Sequence, residues 1–201
     1  MYVHVPAAWT SLLLFTVAFA ASGRVLWKRS LAADHLALAV VEVGLVFTGL
    51  TVALGALWGR PIWGVWWTWD PRLTSTALLF VLFAGQLALR RAFVDPARRA
   101  TVSAAVAVLA FAMVPIVHWS VVWWRSLHQG PSVLRLEGPA LAAPMLATLL
   151  VNALGATVLA AWLVARRMRL ARLRMRAENR RLRARLADTP LPAIHPRQLR
   201  G

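Results

Sequence analysis

Five stretches of the chain are apolar over lengths that fit a bilayer, and the polar positions collect between them. Residues 5–23 carry no charge, residues 36–57 are interrupted only by Glu42, and residues 73–89, 100–119 and 138–165 continue the alternation. A helix needs about 20 apolar residues to cross the hydrocarbon core. Backbone groups in lipid find no water to bond, so each stretch is expected to be a helix. The pattern predicts an all-α fold: a polytopic membrane helical bundle of about five transmembrane helices over residues 1–165, followed by a basic tail over residues 166–201.

Composition narrows this. With 60% hydrophobic residues in a chain of 201, the protein is a membrane protein and not a soluble core. It contains no cysteine, which excludes a disulfide framework and a thiolate metal site. A formal net charge of +16 would suggest nucleic acid in a soluble protein. Here the basic residues sit beside the spans or in the tail, so no nucleic-acid partner is expected and charge reports membrane orientation instead. Arg24, Lys28 and Arg29 follow the first span and no basic start precedes it, so no cleavable signal is recognisable.

Cytoplasmic loops retain positive charge. One set of loops holds Arg24, Lys28, Arg29, Arg90, Arg91, Arg98 and Arg99 and receives the tail, whereas the opposite set holds Arg60, Arg72, Arg125 and Arg135. Met1 is therefore expected outside and Gly201 in the cytoplasm. His4, residues 58–72 and His128 then all face the outer compartment.

Residues 58–72 read Trp-Gly-Arg-Pro-Ile-Trp-Gly-Val-Trp-Trp-Thr-Trp-Asp-Pro-Arg and hold five of the 11 tryptophans, Trp58, Trp63, Trp66, Trp67 and Trp69. Indole favours the membrane–water interface because the ring is apolar while its N–H needs a partner, so an aromatic belt is the simplest reading. A belt needs one or two rings per helix end. Five rings beside two glycines, where backbone can approach a ligand closely, suit a large flat ligand better. Asp70 followed by Pro71 is the sequence of an N-cap carboxylate with proline at the first helical position. Arg72 beside it could pair with a ligand carboxylate, with Asp70 or with lipid phosphate.

The pattern Trp63-Gly64-x-Trp66-Trp67-x-Trp69-Asp70 resembles the tryptophan-rich "WWD" signature of haem-handling proteins in cytochrome c maturation. Two flanking segments point to one branch of that superfamily. Met1-Tyr2-Val3-His4-Val5-Pro6-Ala7-Ala8-Trp9 is similar to the segment carrying the first histidine of the CcmC (haem exporter C) family. His118-Trp119-Ser120-Val121-x-Trp123-Trp124-x-x-Leu127-His128-Gln129-Gly130 is similar to the segment carrying the second.

The resemblance implies a function. CcmC proteins hold haem b as a transient ligand at the outer face of the bacterial inner membrane and present it to the haem chaperone CcmE. They associate with the ABC-type pair CcmA and CcmB and the small subunit CcmD. His4 and His128 would be the iron ligands, approaching from two outer segments. Trp63, Trp66, Trp67 and Trp69 would stack on the macrocycle, while Asp70 and Arg72 would complete the haem-binding segment. Haem is a polarizable disc with acidic propionates at one edge, which indole faces and arginines match. His118 could donate to a propionate, orient His128 or simply pack; His35 and His195 belong to the other side.

The chain departs from the family in one respect. CcmC proteins usually have six spans, with the first histidine in the loop after the first helix. Here about five spans remain and His4 lies on a tail ahead of the first, so either the start is set too far downstream or this is a shortened form. Two other functional classes compete with haem delivery. A haem-transporting permease subunit of an ABC-type exporter would need a polar path, for which the spans offer Glu42, Gln86 and Asn152. A haem lyase would carry a further histidine pair within the membrane, which this chain lacks, so no enzyme is expected.

Glu42 lies about 9 Å along its helix from residue 36, close enough to reach the cytoplasmic interface or Arg29. Gln86 and Asn152 are expected to bond between helices. Residues 166–185 carry ten arginines among Leu and Met, a solvated basic helix attracted to anionic membrane lipids. The prolines at 190, 192 and 196 predict disorder at the end.

Overall fold

The computed structural model describes residues 1–130, 132–133 and 135–188, and its elements are all helical. They run in order as α1 (His4–Lys28), α2 (Leu31–Trp63), α3 (Pro71–Arg90), α4 (Pro96–Ala110), α5 (Met113–Trp123) and α6 (Ala143–Asp188). With α4 and α5 taken as one crossing, Pro96–Trp123, five segments are long and apolar enough to cross a membrane.

The connections explain the antiparallel order. Between α1 and α2 the chain turns on Arg29, whose left-handed φ of 50° lets its N–H bond the Val25 carbonyl, and Ser30 caps α2 by accepting from the Ala33 amide. Two Asp-Pro pairs start α3 and α4, with Asp70 and Asp95 as the capping carboxylates. α2 ends on Gly64, at φ 79°, where only glycine is unstrained.

Packing is centred on α1, which touches α2, α4 and α6. Alanines are prominent among the buried residues of α1 and α2 (Ala7, Ala18, Ala33, Ala37), as suits membrane helices, whose association is driven by close packing and not by water. Phe15 of α1 stacks on Phe83 of α3 at 4.0 Å between ring centroids, and Gly44 of α2 makes room for that ring. Val40, Val41, Leu79, Ala107 and Val117 complete the core. α6 packs on α1 and α2 with Ala160 buried.

Three expectations need correction. His4 is not on a tail ahead of the first span but is the first residue of α1, with the Val5 amide bonded to the Met1 carbonyl at 3.0 Å. Pro6 does not oppose this, because an amide in the first turn has no helical acceptor to lose. The fourth crossing is interrupted at Phe111 and Ala112, where bonding tightens from Val114 N to Phe111 O. Pro115 causes this: it has no N–H for the Phe111 carbonyl and its ring crowds that oxygen. The fifth crossing begins at Ala143 and not at 138, because Gly138 (φ 90°) and Pro139 hold a turn and Pro144 suits a first helical turn.

The polar residues of the spans also differ in part from expectation. Gln86 bonds between helices as expected, donating to the Ser103 carbonyl and hydroxyl at 3.3 and 2.5 Å. Asn152 does not, since its amide bonds Thr148 O in its own helix. Glu42 is met by Arg167 of α6, whose Nε lies 2.7 Å from its carboxylate, while Arg29 donates to Thr101. Arg90 and Asp34 form a buried two-pronged pair at 2.6 and 2.7 Å between α3 and α2. The basic residues from Arg166 on continue α6 without a break to Asp188; prolines 190, 192 and 196 lie outside the described residues.

Candidate functional site

The topology brings His4, the end of α2, residues 64–70, the start of α3 and residues 118–130 to one end of the bundle. There they enclose a cavity of about 440 Å³, within the range of roughly 300–1,000 Å³ usual for small-molecule sites. Its walls follow helical spacing. His4, Ala8 and Leu12 come from one face of α1, and Thr51, Gly55, Trp58 and Ile62 from one face of α2. Trp9, Trp63, Trp67, Arg72, His118 and His128 close it.

Both expected iron ligands therefore line a single cavity, although 124 positions separate them. His4 stands against Gly55, where a Cβ would come within 3.1 Å of its Cε1. His128 packs edge-on to Trp63, with ring centroids 5.1 Å apart. The Nδ1 atoms of both rings are buried without a hydrogen-bond partner. Burial pushes the His128 imidazole down to about 4, against the opposing charge of Asp70, so the ring is neutral at pH 7 and able to ligate.

Asp70 sits behind the cavity wall, 7% exposed. It accepts from the Arg72 amide at 2.9 Å, the Ser126 hydroxyl at 3.1 Å and the Leu127 amide at 2.7 Å. Burial alone would raise its carboxyl, but these donors from Leu127, Ser126 and Arg72 outweigh that and hold it below the usual carboxylate range. Ser126 Oγ in turn accepts from the His128 amide at 3.1 Å. His128 Nδ1 lies 3.7 Å from Asp70 Oδ1.

The Arg72 side chain does not pair with Asp70. Its Nε donates to Ser120 Oγ at 3.3 Å and its Nη2 to the His118 carbonyl at 2.8 Å, tying α3 to the end of α5 while the guanidinium lines the cavity. Of the expected tryptophans, Trp63 and Trp67 line the cavity. Trp66 and Trp69 lie outside it, and Trp69 is 83% exposed with its ring edge-on to Trp67. Trp58, of the same tryptophan-rich stretch, lines it too, and Trp9 and Gly55 join unpredicted: Gly55 stands one helical turn before Trp58, whereas Trp9, five positions from His4, has no such spacing.

Two imidazoles are too few ligands for a bare cation. Among the described residues no group of three or more His, Asp or Glu could hold a metal ion. Two imidazoles do suit an iron whose other four positions a macrocycle fills.

Relatives give the same direction. The chain is 40% identical over 181 residues to "Heme exporter protein C" of Haemophilus influenzae, covering 89% of this chain and 73% of that protein. It is 43% identical over 160 residues to "Heme exporter protein C" of Bradyrhizobium diazoefficiens, covering 79% and 60%. It is 34% identical over 158 residues to the "putative cytochrome c biosynthesis ccmC-like mitochondrial protein" of Arabidopsis thaliana, covering 76% and 57%. The match thus spans less than two thirds of the last two relatives. Residues 1–183, from His4 through the tryptophan segment and the His128 loop into α6, match the family described as CcmC, heme exporter protein C, and the chain belongs to that family.

Proposed function

We propose that this protein binds haem b transiently in the cavity at the His4 end, at the outer face of the bacterial inner membrane, and delivers it to the haem chaperone CcmE. His4 and His128 act as axial ligands, Trp63 and Trp67 pack on the macrocycle, and Arg72 meets an acidic edge. Trp66 and Trp69 form an exposed rim for handover, and Asp70 supports the site from behind. The observation that carries this reading is the convergence of two distant histidines, neither Nδ1 hydrogen-bonded, on one tryptophan-lined cavity.

CcmA, CcmB and CcmD are the membrane partners of this reading, and no bond chemistry is assigned to the chain. A permease route fits less well. Glu42 is neutralised by Arg167, Gln86 is held by Ser103 and Asn152 by its own helix, which leaves these groups no shared polar path.

Purified protein should show a six-coordinate haem spectrum. His4→Ala or His128→Ala should shift it to a weaker mixed form, and the double variant should lose haem. Wild-type spectra in both single variants would make His118 the next ligand to test. Delivery is separated from transport by replacing Trp63 and Trp67 with alanine and comparing covalent haem on CcmE with haem captured by a secreted b-type haem protein. Loss of chaperone loading with normal capture supports delivery; parallel loss of both sinks it. For orientation, single cysteines at Ser30 and Ser132 should label from opposite sides, cytoplasmic and outer respectively.

A further inference from the structure

His128 is the one of the two proposed ligands whose ring faces a carboxylate. That carboxylate is fixed by the fold twice over: it is the N-cap of α3, and it holds the backbone and side chain of the loop that carries the histidine. Ser126, Leu127 and His128 are thereby hung from one group, through Ser126 Oγ, Leu127 N and, by way of Ser126 Oγ, His128 N. His4 faces no carboxylate: its neighbours are Gly55 and the Thr51 backbone of α2. The two rings are inequivalent before any ligand arrives.

We infer that Asp70 is a positioning residue for His128, holding the Nδ1 proton towards its own carboxylate so that Nε2 is left as the bare, metal-accepting nitrogen. This rests on the reading of His128 as a haem ligand but is testable without haem. At 3.7 Å the Oδ1–Nδ1 separation exceeds a hydrogen bond, so charge sets the tautomer: an N–H dipole pointing at an anion is favoured over a lone pair doing so. The ring is half-buried against Trp63 with its Nδ1 out of solvent, where little water screens that preference. Carboxylate–histidine pairs at metal sites orient the ring and make it a stronger donor, and losing the outer partner typically costs 10–100-fold in affinity. The aspartate of the tryptophan-rich segment then acts on iron through His128 and not by touching haem. Only the His128 side of the site has this support, so His4 is the weaker ligand and the one to release first on handover.

The test uses full-length haem-free protein in detergent, labelled with ¹⁵N-histidine, the His128 resonances being identified by their loss in His128→Gln. The wild type should carry its proton on Nδ1 with Nε2 bare. Asp70→Asn keeps one carbonyl acceptor, for the Arg72 amide, and loses the charge together with the acceptor of the Leu127 amide; it should shift the proton towards Nε2 while circular dichroism stays unchanged. With haem added, the same variant should bind 10–100-fold more weakly. A wild-type His128 protonated on Nε2 overturns the proposal, as does an Asp70→Asn variant with an unchanged tautomer. Should that variant not fold, the wild-type tautomer decides alone. A correct tautomer in a protein that binds no haem would sink the haem reading and leave the Asp70–His128 pairing standing.

Discussion

Two Asp-Pro turns, Asp70-Pro71 and Asp95-Pro96, stand at opposite ends of the bundle and begin their helices in the same way. Asp95 does only what the sequence demands. It accepts from Ala97 N at 3.3 Å and Arg98 N at 2.8 Å, is exposed, and touches nothing distant. Asp70 gives its own helix a single bond, from Arg72 N, and spends the rest of its acceptor capacity on residues 126 and 127, with His128 beside it. Capping is a local act that any exposed aspartate performs; burying the same carboxylate lets it organise a second segment 56 residues away. The wider contrast is in kind. At the Asp95 end the buried Asp34 and Arg90 pair with each other, although Ser22 Oγ, Gln86 Oε1 and Arg99 Nε lack partners there; at the His4 end the unpartnered atoms include the Nδ1 of two imidazoles. One end carries a buried ion pair between helices, the other carries the groups able to ligate.

The largest expected effect tests the matched end. Removing one partner of a buried ion pair leaves the other charge uncompensated, so Asp34→Ala should destabilise by about 3–5 kcal/mol. Asp34→Leu with Arg90→Met should recover most of that. Haem binding per folded molecule should not change in either. Unfolding of purified protein in detergent, followed with haem titration, checks both parts; loss of haem affinity in the double variant would show that the two ends are coupled.

Next comes the pair of caps. Asp95→Ala loses a surface cap, worth about 1 kcal/mol. Asp70→Ala loses a cap and leaves the Leu127 amide without its charged acceptor, a bond worth roughly 1.5–3 kcal/mol, while the Ser126 hydroxyl can turn to water, so a total of about 2.5–4 kcal/mol is expected. Proteolysis should reveal the difference as well, with cleavage near residues 125–130 appearing in Asp70→Ala alone. Equal costs for the two variants would mean that Asp70 is no more than a cap.

A third test acts on His4. Alanine at Gly55 would place a methyl 3.1 Å from His4 Cε1, which forces the ring to move by a few tenths of an ångström. Gly85 in α3 has nothing within 4 Å, and alanine there should stabilise the helix by up to about 1 kcal/mol. Haem retention should therefore fall in Gly55→Ala and hold in Gly85→Ala. The same haem content in both would place His4 off the iron.

Much of this was legible in the sequence because it is local. The five crossings come from hydropathy, the Asp-Pro starts from capping chemistry, and the tryptophan segment from its composition. The helix boundaries that differed were set by prolines whose consequences depend on position: Pro6 permits a helix start, Pro115 breaks a crossing, and Pro139 delays one. Which indoles face inwards was not legible, since residues 64–70 are irregular and offer no period from which to assign a face. Contacts such as Arg72 with the His118 carbonyl, Glu42 with Arg167 and Asp70 with Leu127 join residues 46 to 125 positions apart. Spacing within one element carries no information about them.

The smallest expected effect is the most exacting test of the comparison. Asparagine caps helices about as well as aspartate, and Asp95 has no buried neighbour that needs its charge. Replacing it also removes an exposed carboxylate close to Arg98 and Arg99, where solvent screening leaves a pairwise attraction of well under 1 kcal/mol. Asp95→Asn should thus change unfolding stability by no more than about 0.5 kcal/mol and leave haem affinity untouched. The same change at Asp70, like that at Asp95, keeps one amide acceptor and loses the other, and it also removes the charge facing His128. Two identical substitutions in two identical dipeptides then differ in one physical variable, the burial of the carboxylate against a histidine. If Asp95→Asn lowered haem affinity as much as Asp70→Asn, the effect would belong to aspartate chemistry in general, and the distinction between the two ends of the bundle would fail.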